Sequence, residues 1–453
     1  MKNYKDTSKD VLIRKKAQKK FLIEGGVRQI TTGFGEHYLG AFAVILGAGE
    51  FFMSILTSVP TLFASILQIF SPWVMKKYGI RRKLVLSGVL LHALSWFFLL
   101  FVLFLDPIIG LWILLLLIII QTSVEWFINS AWMSWFGEYV DKTTMGNYIG
   151  LRQSISLFFA MSSTIIAGLI LGFFDNSGTL NGFLIIFLIA FLARTYTFFN
   201  LNSIPPTNYD PKKTKIMSPF KFLKEKKHRS IHSFMNFAGL FRFAVMIASP
   251  FFTLYMLRDL NFTYVEYMML LSITIFIQIV SARYWSNITQ KYGNEIVLKY
   301  SSLLICFIPL LWLISQNFNY LIGIRMFEGF VWGAFNLSTY NYLLSSSSLK
   351  ERSAYISNYN LFIGLATVFG SILGGIIAVY SINYSLFLTG IPLIFLISGI
   401  LRFIIVLLLG IKLKGKQKQI TEHVFIKLMF IYPMEGTIQN ILHIINFKKL
   451  KTK

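Results

Sequence analysis

Long apolar runs, most of about twenty residues or more, recur from residue 21 to residue 411 and are separated by short polar breaks. Within a run, polar residues do not fall at every second position, which argues against the strands of a membrane barrel. A helix of about twenty apolar residues is long enough to cross the hydrocarbon core of a bilayer. The pattern therefore predicts an all-α integral membrane protein. Its spans read as 21–47, 50–75, 83–105, 108–135, 147–173, 179–201, 231–257, 262–289, 295–315, 318–344, 353–379 and 383–411, twelve in number. One break is much longer than the rest. Residues 202–229 contain Pro205, Pro206, Pro211 and a run of lysines. That segment joins an expected N-terminal six-helix bundle, 21–201, to a C-terminal one, 230–411.

The two halves echo each other. Lys77-Tyr78-Gly79 follows the second run, and Lys291-Tyr292-Gly293 follows the eighth. Gly146-Asn147-Tyr148-Ile149 opens the fifth run, and Ser353-Ala354-Tyr355-Ile356 opens the eleventh. Two short echoes at matching places in the hydropathy pattern indicate an internal duplication, so the bundles are expected to be pseudo-symmetric.

Composition agrees with lipid as the solvent. Of 453 residues, 55% are hydrophobic and only 14% charged, against roughly a quarter charged in soluble domains. The net charge of +24 raises nucleic acid as a partner, but its placement excludes it. Of 43 Lys and Arg, 36 lie in the two tails and in loops 76–83, 136–152, 202–229, 290–299 and 345–352. Arg258 is the single one in the loops on the other side. This bias predicts that both termini are cytoplasmic in the cell membrane, as an even number of spans requires. Residues 1–20 form a basic tail, in which Val11–Ile23 has the pattern of a surface helix or else is disordered. Residues 412–453 form a second basic tail, in which Thr421–Phe430 and Thr437–Ile445 read as short interfacial helices broken by Pro433 and Gly436. The single cysteine, Cys306, excludes a disulfide framework.

Twelve spans in two halves, with a glycine-centred basic loop after spans two and eight, resemble the major facilitator superfamily of secondary transporters. The family's loop begins with Gly and has an Asp before its basic residue. Here Pro72 and Lys76 hold those two places, followed by Lys77, Gly79, Arg81, Arg82 and Lys83. In the second copy Ser286 and Gln290 hold them, followed by Lys291 and Gly293. Ser134–Val140 followed by Gly146–Arg152 is similar to a signature of a prokaryotic subgroup. In the family the loop acid contacts a neighbouring helix end and latches the cytoplasmic side. A charge-swapped latch is expected here, with Lys76 or Lys77 meeting Glu138 or Asp141. The alternative is solvated loop charges.

Ionisable residues inside spans mark pathways by default. Glu24, Arg28, Glu36 and His37 lie in span one, Glu125 in span four, Arg242 in span seven, and Arg325 and Glu328 in span ten. In the family this chain resembles, spans 1, 4, 7 and 10 line the central cavity. Arg242 and Arg325 are thus candidates to meet an anionic group. Glu125 and Glu328 are candidates to pair with them or to carry a coupling proton, with Glu36 beside His37 a second proton candidate. The competing assignment is a set of ion pairs tying the halves together. Arg194, Arg283 and Arg402 read as snorkelling residues, and His92 as isolated. The aromatics of spans four and ten, Trp126, Trp132, Trp135, Trp332 and Phe335, read first as packing. Gly370 and Gly374 read as a close helix contact. The fifth span lacks the Gly-Pro of proton-driven drug exporters.

No phosphate-binding loop, nucleophile–base pair or histidine metal cluster is readable. The sequence thus predicts no enzyme, no cofactor and no metal. It predicts instead a monomeric carrier of a small solute of unspecified class, probing alternating access in a lipid bilayer with proton coupling. A receptor or scaffold that kept the fold and lost transport is the alternative, and the altered loops are its support.

Overall fold

The computed structural model describes residues 8–140, 145–174, 178–206, 229–345, 352–381 and 388–410. Asp141, most of the expected central connection and the expected interfacial helices of 412–453 lie outside the described residues. Helices α1 (Ser8–Phe34), α2 (Leu39–Ile45), α3 (Glu50–Tyr78), α4 (Arg81–Val102), α5 (Pro107–Phe136), α6 (Met145–Phe173) and α7 (Thr179–Asn202) build the first half. Helices α8 (Arg229–Ala248), α9 (Tyr264–Tyr292), α10 (Asn294–Leu311), α11 (Phe318–Ser345), α12 (Arg352–Ser381) and α13 (Gly390–Leu409) build the second. Ten of these crossings are long and apolar enough to span a membrane by composition alone. The other two, α1 with α2 and α11, carry Glu24, Arg28, Arg325 and Glu328 within their helices, which makes twelve.

Local chemistry fixes the helix ends. Asp106 caps α5, its Oδ1 accepting from the Ile108 amide at 3.0 Å, and Pro107 follows at the first helical position, where no amide donor is lost. Thr263 and Glu266 form a reciprocal capping box on α9. Gly79 ends α3 with φ of +63°, a conformation that disfavours any side chain.

The first crossing differs from the expected 21–47. The helix already begins at Ser8, inside the stretch read as a tail, and it breaks at Gly35. A Cβ on Gly35 would strike the Trp96 ring. The short 3₁₀ turn that follows, Glu36–Tyr38, turns Glu36 and His37 into the bundle. His37 Nδ1 lies 2.8 Å from Thr164 Oγ1, and the Tyr38 hydroxyl donates to the Thr164 carbonyl at 2.7 Å. The extended N-terminal end of α1 is packed down by Phe21, whose ring meets Trp132, Trp135, Phe136 and Tyr139.

Duplication is visible in the packing. In the first half α1 packs on α6 and α7, α3 on α5, and α4 on α5 and α7. In the second half α8 packs on α12 and α13, α9 on α11, and α10 on α11 and α13. These are the same pairings by position in each half. The halves meet through α3 with α12 and through α6 with α9, again an equivalent pair.

Lipid offers no hydrophobic drive for helix association, so close contact depends on small residues. A Cβ on Gly370 would lie 2.9 Å from Met246 Cβ, and one on Gly374 would press on the Ile247 carbonyl and lie 2.9 Å from Phe251 Cε2. Forcing a larger residue into such a contact costs about 1–3 kcal/mol. Gly374→Leu is therefore expected to lower the melting temperature of the detergent-purified protein by several degrees, and an unchanged melting curve would refute the tight α8–α12 contact.

Candidate functional site

Three cavities adjoin one another through shared lining residues; among the described residues the first draws on both halves, and the second and third are lined by the C-terminal half alone. The first, of about 380 Å³, is lined by Arg28, Glu125, Arg152 and Arg194 of the N-terminal half, with Asn360 at its edge. The second, of about 330 Å³, lies among α8, α11 and α12 and is lined by Arg242, Phe241, Trp332, Asn336, Tyr359 and the same Asn360. The third, of about 200 Å³, shares Val245 and Trp332 with the second and is lined by Arg325, Glu328 and Arg402. Asn360 Nδ2 donates to Gln68 Oε1 of the other half at 3.4 Å, so one hydrogen bond sits where the first two cavities meet.

The halves are closed at the end away from the basic loops. There Tyr267 donates its hydroxyl to the His37 carbonyl at 3.1 Å, the Tyr38 and Tyr267 rings meet edge to face, and Arg258 bonds Glu50 at 2.7 Å. The first cavity reaches towards the opposite, basic end. Trp132 and Arg152, which line it, lie within about two turns of the ends of α5 and α6 there.

The first cavity holds a charge network confined to the N-terminal half. Arg28 forms an ion pair with Glu125, joining α1 to α5. Arg152 of α6 bonds Glu24 at 2.8 Å and stacks over Trp132 at 4.6 Å. Gly25 makes room for it, because a Cβ there would lie 2.8 Å from Arg152 Nε. Glu36 accepts from the Thr32 hydroxyl at 3.2 Å. Glu36, His92 and Glu125 bring one donor atom each within 4.8 Å of one another. Such a trio has the spacing for a cation. With Arg28 bonded to Glu125 and buried Arg194 close by, however, the local positive charge opposes a metal ion.

Three sequence expectations are corrected here. Arg194 is 2% exposed and lines the charged cavity, so it does not snorkel. Arg402 is equally buried and spends its donors on Ser398 Oγ and the carbonyls of Ile305 and Val245. His92 is not isolated but faces Glu36 and Glu125. Arg194 and His92 lie on α7 and α4, outside the four spans expected to line the cavity. Arg152 was legible only as the last residue of a signature and Asn360 carried no signal at all.

In the C-terminal half, Arg325 bonds Glu328 at 2.8 Å, one turn away on the same helix. Its guanidinium also lies over the rings of Trp312 and Phe252. Glu125 and Glu328 thus take their partners from their own halves, Arg28 and Arg325, and not Arg242. None of these pairs ties the halves together. Arg242 has no carboxylate partner among the described residues. Its Nε donates to Thr367 Oγ1 at 3.3 Å.

At the basic end the expected partner of Glu138 is corrected. Arg81, not Lys76 or Lys77, holds Glu138 with two bonds of 2.6 Å, and it also donates to Ser134 Oγ at 3.1 Å. Arg81 is buried, while Lys76 is exposed and Lys77 lies over the Trp73 and Tyr78 rings. Arg82 donates to the Asn202 carbonyl at 2.6 Å. In the second copy Lys291 lies over Tyr292, and Gly293 has φ of +91°. A double-mutant cycle on Arg81 and Glu138 is expected to give a coupling of about 1–3 kcal/mol. The same cycle on Lys76 and Glu138 is expected to give none, and the reverse ranking would overturn the assignment.

The profile described as Major Facilitator Superfamily matches residues 30–241 and again 235–434. The chain belongs to the Major Facilitator Superfamily. The double match agrees with the duplicated packing, and membership makes the chain a multi-pass membrane protein of a transporter family. Among solved structures, a variant form of the nucleoside transporter NupG is similar with a TM-score of 0.67 at 14% identity, covering 88% of this chain and 100% of that one. A POT family transporter in complex with 5-aminolevulinic acid gives 0.63 at 15% identity, covering 89% and 96%. A bacterial homolog of the human lysosomal transporter Spinster, in an inward-facing and unoccupied conformation, gives 0.57 at 13%, covering 90% and 95%. At these identities the likeness is one of fold. No curated protein sequence matches.

Proposed function

We propose that this Major Facilitator Superfamily protein is a proton-coupled secondary transporter that moves a small solute across the cell membrane by alternating access. The observation that carries the reading is the run of adjoining charged and aromatic cavities in two duplicated halves that meet at the end away from the basic loops. By the positive-inside bias both termini and the basic loops face the cytoplasm, so the described state faces inward. The similar Spinster homolog was solved in an inward-facing conformation, which is consistent.

The proton is assigned to the N-terminal network. Glu36 has no ion-pair partner among the described residues, and its neighbours include Glu125 and Arg28. A proton on Glu36 leaves Arg28 wholly to Glu125. Its loss gives Arg28 a second carboxylate to approach. Exchange of one guanidinium between two carboxylates links protonation to the relation of α1 and α5, which is the physical requirement for coupling. The Arg81–Glu138 pair ties α4 to the end of α5 within the N-terminal half despite the altered loop sequence, which weakens the receptor reading.

The test is solute flux into proteoliposomes with an imposed pH gradient. Accumulation that a protonophore abolishes supports the proposal. Equilibration of solute at the same rate with and without the gradient would reduce the protein to a uniporter, and no flux of any solute would return the receptor reading.

A further inference from the structure

Among the three cavities the second is chemically distinct. Its lining brings Phe241, Trp332, Phe335 and Tyr359 together around one cation, Arg242, with Asn336 and Asn360 as neutral polar groups. No carboxylate lines it among the described residues. The Phe241 and Phe335 rings are 5.3 Å apart, and Trp332 meets Phe335 edge to face at 5.4 Å, so the apolar wall is a preassembled surface.

Arg242 stands apart from the other cations of the second half. Arg325 has Glu328, and Arg402 has two backbone carbonyls and a serine hydroxyl. Arg242 spends only Nε, on Thr367. Its two terminal nitrogens are left with no hydrogen-bond partner among the described residues, on a residue that lines the cavity. A guanidinium fork held at membrane depth without an anion is costly, and the fork geometry matches an oxyanion through two parallel bonds. A cavity of about 330 Å³ lies at the small end of ligand pockets. It suits a single ring with a short substituent rather than a long chain.

We infer that this cavity is the substrate site and that it takes a small aromatic organic anion. The anion's carboxylate or other oxyanion meets the terminal nitrogens of Arg242, and its ring lies against Trp332, Phe335 and Tyr359. This rests on the transporter reading and adds the substrate class to it. Among the described residues nothing neutralises the Arg242 charge, and the ligand supplies the counter-charge. The ring wall then discriminates against acetate and other small anions that carry no apolar body.

The experiment is thermal shift and calorimetric titration of the full-length detergent-purified protein with four probes: benzoate, benzamide, benzylamine and acetate. Benzoate is expected to raise the melting temperature and to bind at least tenfold tighter than benzamide, benzylamine or acetate. Arg242→Met is expected to remove benzoate binding while raising the melting temperature of the unliganded protein, because it deletes an unpaired cation. Arg242→Lys, which keeps the charge and loses the fork, is expected to weaken benzoate binding without abolishing it. Preference for benzylamine, or benzoate binding unchanged in Arg242→Met, would overturn the anion assignment. Lower unliganded stability in Arg242→Met would show that Arg242 is a structural cation, which also overturns it. The flux assay separates the two readings. Flux of a cationic or neutral solute insensitive to Arg242→Met sinks the substrate class and leaves the transporter. Arg242-dependent benzoate binding without flux sinks the transporter and leaves the site.

Discussion

Glu125→Gln is expected to abolish transport and to destabilise the protein, whereas Arg28→Met with Glu125→Leu together restore the stability without restoring transport. Arg28 and Glu125 pair between α1 and α5 inside the membrane-spanning bundle. Removing one partner of a buried pair leaves an uncompensated charge, at a cost of about 3–5 kcal/mol. Replacing both by apolar side chains of similar volume is near neutral or stabilising, because the desolvation cost of both ions disappears. The double variant therefore separates two roles that each single variant confounds. If the pair only holds α1 against α5, the double variant folds and transports. If Arg28 exchanges between Glu125 and Glu36 during the cycle, the double variant folds and is inert, with flux reduced at least a hundredfold. Melting curves and proteoliposome flux on the parent, Glu125→Gln and the double variant decide it, and full activity of the double variant would remove this network from the mechanism.

How much of this was legible in the sequence depends on which physical signal carried it. Crossing number and duplication were readable because lipid imposes a length on every span and because Lys77-Tyr78-Gly79 recurs at Lys291-Tyr292-Gly293. The concentration of charge on spans one, four, seven and ten was readable because a charge in lipid is rare enough to count. Partner identity was not. A soluble helix advertises its buried face through amphipathic periodicity. A span such as α5 is apolar on every side, so nothing in its pattern says where Glu125 points. The same blindness hid Arg194 and His92. Each stands alone on an apolar helix, and only the packing of α4 against α5 and α7 brings them to Glu125. At the basic end, the loop's family pattern directed attention to Lys76, at the place of the missing acid. Helix geometry instead puts Lys76 outside the bundle and turns Arg81, on the first turn of α4, onto Ser134 and Glu138 of the α5 end.

Wedging the closed end open is expected to stop transport by a different route, with the protein still folded and its cavities intact. Across the interface α3 meets α12, and α6 meets α9, through glycines. A Cβ on Gly375 would lie 2.7 Å from Ser54 Cβ, and one on Gly172 would collide with Val265. Both positions are at the end away from the basic loops, where Arg258 bonds Glu50 and Tyr267 reaches the His37 carbonyl. These contacts exist only while that end is closed, so added bulk penalises the inward-facing state and leaves a state open at this end untouched. Overpacking of this kind costs about 1–3 kcal/mol per site, and each 1.4 kcal/mol shifts a two-state population about tenfold. Gly172→Leu with Gly375→Leu should therefore move the equilibrium by one to several orders of magnitude and reduce flux in proportion. The shift is readable without a substrate. Thr253, which lines the third cavity behind the closed end, becomes a reporter as Thr253→Cys, because the native Cys306 is buried. A membrane-impermeant thiol reagent applied from outside should label the wedged protein much faster than its parent. Unchanged labelling together with normal flux would mean that this closure is not part of the transport cycle, and the alternating-access reading would fall with it.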